Sequence, residues 1–293
     1  MAILRAPGLT ADWLNGWLAA VGVTVLVPGA KLRWSEDALP VAELQVPGDR
    51  SVAQLITAGL PRPEAIEELA IAKQHVRRNV PLETYRDRAA VTRRTHDFSL
   101  AASLTDLLEK LDENDLPHSP FDPPAPKGRT LHDRVGACVN AIFVSDDAPR
   151  KVGATLDGTA IRVKMNGLGF DYRRLDAPAQ PNGDNFVDPV AEILAFHALA
   201  LFPVRGNGGT ERARGWVGPA SRRHSFSWPA WSSPLDRWAI DALLDRAHAV
   251  ISSRSYPEVA LRRLGVTALF ATVAYRTDSR SDPTRAYASE RLW

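Results

Sequence analysis

The chain has 293 residues, 45% of them hydrophobic and 24% charged, a balance that excludes a disordered or collagen-like protein and fits a globular one. Its formal net charge of +2 means that any surface for polyanions must come from local clustering. Cys138 is the single cysteine, which excludes an internal disulfide framework and every thiolate-rich zinc site.

Met1 to Trp13 has no long apolar run and no small-residue cleavage pattern, so a signal peptide is not expected. Nor does any later segment have the roughly 18 apolar residues of a membrane helix. A soluble, cytoplasmic protein without a membrane partner is the expectation. Thr10 followed by Leu14, Trp17, Leu18 and Val21 reads as a capped amphipathic helix that ends at Gly22. Lys31 to Ser35 and Val41 to Val46 read as strands, each bounded by Pro or Gly. From Ser51 to about Leu111 the pattern is helical, and its many basic residues are interleaved with acidic ones, as on a solvated helix face with mixed ion pairs or, alternatively, a nucleic-acid-facing edge.

Pro117, Pro120, Pro123, Pro124 and Pro126 break regular structure between Asp112 and Thr130. Val135 to Val144 is apolar and ambiguous. Asp157-Gly158 reads as a hairpin turn ahead of the alternating Ile161, Val163 and Met165, with Arg162 and Lys164 on the opposite face. Asp188-Pro189 opens a strong helix that runs to Leu201, and Ser233-Pro234 repeats that signal before Trp238, Ile240, Leu243 and Leu244. Tyr256 to Leu264 adds a further helical turn or two, and Val266 to Tyr275 reads as a buried strand. The fold class expected is α+β. It divides into an N-terminal α/β and helical region (1–112), a proline-rich linker or loop (113–130) and a C-terminal α+β region (131–293).

Beyond Phe202-Pro203 lies a Gly-rich stretch with Arg205, Arg212, Arg214, Arg222 and Arg223, opposed only by Glu211. Arginine meets phosphate as a planar fork, and aromatic faces stack on bases. Trp216, Trp228 and Trp231 sit outside helical periodicity beside arginine and proline, which suits base stacking or insertion into a partner. Trp13, Trp17, Trp34 and Trp238 fall at amphipathic positions, which suits core or interface anchors. The expected nucleic-acid-binding cluster is therefore Arg205, Asn207, Arg212, Arg214, Trp216, Arg222 and Arg223, with Arg162, Lys164, Arg173 and Arg174 as a second strip.

Catalytic patterns are poorer. Arg205 to Thr210 lacks the Gly-Lys-Ser/Thr of a phosphate loop and leaves a helix instead of feeding one. His132-Asp133 is a metal-nuclease-like pair without further matching ligands, and no His-x-x-x-His spacing occurs, so no metal or other cofactor is expected. His197, on an apolar helix, reads as a structural histidine.

Gly167-Leu168-Gly169-Phe170-Asp171-Tyr172-Arg173-Arg174-Leu175, then Asp188-Pro189-Val190 through Phe196, then Leu201 to Gly206, resemble C-terminal motifs of the subtype I-G (formerly I-U) CRISPR large-subunit-like proteins. Leu9 to Trp34 is similar to that family's opening helix and Trp-bearing strand. The resemblance covers about half the chain, which is short for a large subunit. It implies a non-catalytic subunit of a crRNA-guided surveillance complex. Its partners would be crRNA, target DNA, other complex subunits and a helicase-nuclease recruited in trans. Its tasks would be protospacer-adjacent motif recognition, duplex opening or displaced-strand holding. Two alternatives stand beside it: an architectural docking subunit without nucleic-acid contact, and a metal-dependent nuclease using His132 and Asp133.

Overall fold

A computed structural model describes residues 3–64, 131–165, 167, 186–202, 204–206, 211–217, 225–253, 257–275 and 286–293. The expected helices between 65 and 112 and the linker at 113–130 lie outside the described residues. What is described is a mixed α+β fold whose strand pairings are all antiparallel.

The chain starts with a strand that periodicity did not announce, β1 (Ile3–Thr10). It is interrupted at Pro7-Gly8, where the pairing register shifts between Ala6 and Thr10. Strands β2 (Lys31–Trp34) and β3 (Val41–Gln45) form where expected and complete a three-stranded sheet in the order β1-β3-β2.

Helix α1 (Leu14–Leu26) differs from its expectation at both ends. Thr10 closes β1 instead of capping the helix, and the residue at the cap position is Trp13, which makes no side-chain cap bond. Gly22 lies inside α1. It is there because the helix meets α5 (Pro189–Ala198) backbone to backbone: a Cβ on Gly22 would lie 1.8 Å from the Leu194 carbonyl oxygen. Every residue from Leu14 to Thr24 is buried, so α1 is a core helix enclosed on all sides and not a surface helix with one wet face.

Helix α2 (Val52–Gly59) starts on a complete capping box, with Ser51 and Gln54 satisfying each other's backbone amides. The ambiguous apolar run becomes α3 (Leu131–Phe143). Helix α4 (Ala148–Asp157) then overturns the expected hairpin turn. Gly158 is its C-cap, with a left-handed φ of 77°, and packs against Gly8 of the interrupted β1. A Cβ on Gly8 would fall 1.9 Å from the Thr155 carbonyl oxygen.

A two-stranded pairing of β4 (Val163–Lys164) with β5 (Phe186–Val187) leads into α5, which starts as expected. The Asp188 carboxylate accepts hydrogen bonds from the Val190 and Ala191 amides at 2.9 and 3.3 Å, with Pro189 at the first helical position. A single 3-10 turn (Leu199–Leu201) ends the helix. The expected loop then gives way to strands. β6 (Val204–Gly206) pairs with β7 (Glu211–Ala213), and β8 (Trp216–Val217) pairs with β9 (Ser225–Trp231).

Helix α6 (Arg237–Ser252) begins three residues after the Ser233-Pro234 signal. Its cap is Asp236, which accepts from Trp238 and Ala239 at 3.1 and 2.9 Å. α7 (Pro257–Arg262) and β10 (Val266–Tyr275) follow as expected, and β11 (Ala286–Arg291) adds an edge to the sheet β11-β10-β9-β8. The three-stranded sheet meets the segment that follows β9 where Leu32 of β2 exchanges backbone hydrogen bonds with Leu235 at 2.8 and 2.9 Å. One hydrophobic core draws on both flanks of the proline-rich segment, from Ala6 through Leu60 and from Val135 through Phe270. Its centre is Trp17, with the rings of Phe202, Phe226, Trp228 and Trp231 at 6.1 to 6.4 Å. Among the described residues no helix is long and apolar enough to cross a membrane.

Candidate nucleic-acid interface

The arginine-rich stretch divides into two parts with opposite roles. Arg205 and Arg212 are direct partners in the antiparallel register of β6 and β7. Opposed residues in such a ribbon share one face, and like charges placed there repel unless an anion lies between or over them. Asn207, which belongs to the connection between these strands, lies outside the described residues.

Arg214, two residues on, is a correction to the expected DNA-facing cluster. Its side chain is only 9% exposed. Nη1 donates to the Asp241 carbonyl oxygen at 2.8 Å and pairs with the Asp245 carboxylate at 3.0 Å, while Nη2 donates to the Leu201 carbonyl and the Asp241 carboxylate. With those donors committed to α6 and to the end of the α5 segment, this guanidinium fastens the β7–β8 turn to the body. The next residue completes the anchor. Gly215 has a φ of 79°, a Cβ on it would lie 2.3 Å from the Phe226 ring, and its amide donates to His248 Nδ1 at 3.2 Å.

The aromatic part of the expectation also changes. Trp228 and Trp231 are completely buried, and each indole N–H donates to a carbonyl of the N-terminal segment: Trp228 to Ala11 at 2.7 Å and Trp231 to Leu32 at 2.9 Å. Neither reaches a base or a partner; they are core anchors because strand β9 is enclosed. Trp216 sits in β8 opposite Phe226. Arg222 and Arg223 lie outside the described residues, as do Arg173 and Arg174 of the second strip. Lys164 is exposed in β4, and Arg162 lies close enough to Asp188 to favour its ionised form.

A polar cluster inside α1, α3 and α5 was not foreseen. Glu192 is fully buried, and Asn15 Nδ2 donates to its Oε1 at 3.0 Å. Two lone polar residues inside apolar helices were the available signal. Cys138 lies beside this cluster, 3.7 Å from the Met165 sulfur; burial pushes its thiol well up, Glu192 and Asp188 add to this, and Arg134 opposes it. A thiol held protonated in this way is a packing residue and not a nucleophile. Asp188 is raised by burial, against the hydrogen bonds from Thr155 and from the Ala191 and Val190 amides. His197 is pushed down to about 4 by burial, in keeping with a structural histidine. His132 and Asp133 lie in the first turn of α3, and among the described residues no group of three or more His, Cys, Asp or Glu is arranged to hold a metal ion.

Comparison with known proteins returned no match to a family model, a curated protein or a solved structure.

Proposed function

We propose that the chain is a non-catalytic, nucleic-acid-binding subunit of a crRNA-guided surveillance complex, and that the β6–β7 ribbon is its contact with the phosphate backbone. The observation that carries the reading is the Arg205–Arg212 register pair. Placing two guanidinium-bearing residues opposite each other disfavours the free ribbon, and a phosphodiester laid across it turns the repulsion into attraction. In guided systems base pairing reads the target and protein holds backbones, which is the chemistry such a ribbon offers. Membership in a complex of the type I class rests on the motif resemblance at 167–175, 188–196 and 201–206. The docking alternative loses two of its aromatic contacts, because Trp228 and Trp231 are interior.

The test replaces Arg205 and Arg212 together by alanine and measures binding of target DNA and of a small RNA across a salt series. Losing two phosphate contacts lowers the slope of log affinity against log salt by about 1.4 to 1.8. An unchanged slope removes the ribbon from the interface. Divalent-metal-dependent cleavage by the purified chain that disappears in His132→Ala overturns the non-catalytic reading.

A further inference from the structure

Trp238 contrasts with the tryptophans of the core. It is 50% exposed, in the first turn of α6, with the Arg237 guanidinium 4.9 Å from its ring centroid. Trp293 also carries an arginine, Arg262 at 4.9 Å, yet it packs against the core, whereas Trp238 stands outside it. Half of a large apolar ring left in water at the start of a helix costs burial that the fold did not collect.

The position of this ring relative to the ribbon follows from helix geometry. Trp238, Asp241 and Asp245 are spaced i, i+3 and i+7, so they share one face of α6. Asp241 and Asp245 are the carboxylates that hold Arg214, and Arg214 lies two residues beyond Arg212. The anchor of the arginine ribbon and the exposed indole therefore occupy the same side of one helix. The acidic groups around Trp238 are already engaged: Asp236 caps α6, and Asp241 and Asp245 bind Arg214. Arg214 offsets part of the charge of Asp241 and Asp245, and Arg237 adds a second cation beside the ring.

We infer that Trp238 with Arg237 is a stacking platform for a base of single-stranded nucleic acid whose backbone runs over the β6–β7 ribbon. The inference rests on the reading of the ribbon as a phosphate contact and adds a strand type to it. Indole and guanidinium planes both stack on bases of any identity, which suits an unpaired strand held without sequence preference. A duplex keeps its bases stacked on one another and presents none to the ring.

The experiment uses the full chain with a short fluorescent oligothymidylate and, in parallel, a duplex of the same length. Trp238→Ala is expected to weaken oligothymidylate binding by about five-fold or more, the lower end of base–aromatic stacking, while leaving duplex binding unchanged. Trp238→Phe is expected to retain most of the affinity, since a ring of either kind stacks. Half of the ring is buried, so Trp238→Ala is expected to lower the melting temperature; binding is therefore measured at a temperature where thermal melts show both variants fully folded, which separates lost stacking from lost folding. Equal affinity of Trp238→Ala and parent for the single strand overturns the platform, as do equal losses in the Phe and Ala variants or an equal loss for the duplex. If Trp238→Ala binds like the parent while the Arg205/Arg212 double variant loses affinity, only the platform falls. The reverse pattern removes the ribbon and with it the path assigned to the backbone, leaving only the stacking contact.

Discussion

The aromatic interior and the arginine-bearing rim are built from the same residue types used in opposite ways. Inside, Trp17, Trp228 and Trp231 each give their indole N–H to a backbone carbonyl of a distant segment, with Pro229, Ala11 and Leu32 as acceptors. At the rim, Trp238 keeps half of its surface in water and meets an arginine. The arginines divide in parallel, with Arg214 sunk between carboxylates and Arg205 and Arg212 register partners in a short ribbon. The difference teaches that residue type alone does not mark an interface. What marks Trp17, Trp228, Trp231 and Arg214 as anchors is that their polar groups bond to distant segments of the fold.

The largest effect expected on this contrast is at the centre. Trp17→Ala removes the ring around which four other aromatic side chains are arranged and leaves the Pro229 carbonyl without its donor, so a loss of about 4 kcal/mol is expected from urea denaturation. Arg214→Ala comes next, at about 2 kcal/mol. Its hydrogen bonds are charge-assisted, but Asp241 and Asp245 are 31% and 55% exposed and regain water once the cation is gone. A loss of nucleic-acid binding in Arg214→Ala without any change in stability would reverse the assignment of anchor and contact. The smallest effect is pH-dependent. His197 is held neutral by burial, with its pKa near 4 in the fold against an ordinary 6.5. As pH falls from about 6.5 towards about 4 the unfolded chain gains a proton that the folded one refuses, so this contribution to stability is lost over that window. His197→Gln removes that slope, and the check is the difference in urea midpoint between parent and variant at the two ends of the window. Asp188, raised in the fold, acts in the opposite sense and is common to both proteins, so the comparison isolates the histidine.

Elements whose local signal admits one solution were legible in the sequence. Asp188-Pro189 predicted its helix because the cap acceptor and a residue that needs no amide donor coincide, and Val266 to Tyr275 predicted its strand through β-branched residues. Signals with two solutions misled. Asp-Gly serves a hairpin turn or a helix end equally well, and at Asp157-Gly158 the preceding apolar spacing decided for the helix. Gly22 matches a terminator in sequence, and only the approach of α5 explains it as a contact. Strand β9 was hidden by Pro229, which argues against a central strand. The proline is accommodated because β8 pairs only with Ser225 and Phe226, leaving the Pro229 end of β9 bonded to β10 alone among the described strands. Of the expected interface, the ribbon pair was legible as composition but not as register, and Arg214 could be recognised as an anchor only once α6 was in place.

The enclosure of α1 has a consequence for biosynthesis. Asn15 waits 177 residues for Glu192, and Trp17 waits 212 for Pro229. At ordinary translation rates that interval is roughly 10 to 40 s, during which a helix with no wet face has emerged from the ribosome without α5 and β9 to cover it. Such a nascent chain is a natural client for holdase chaperones.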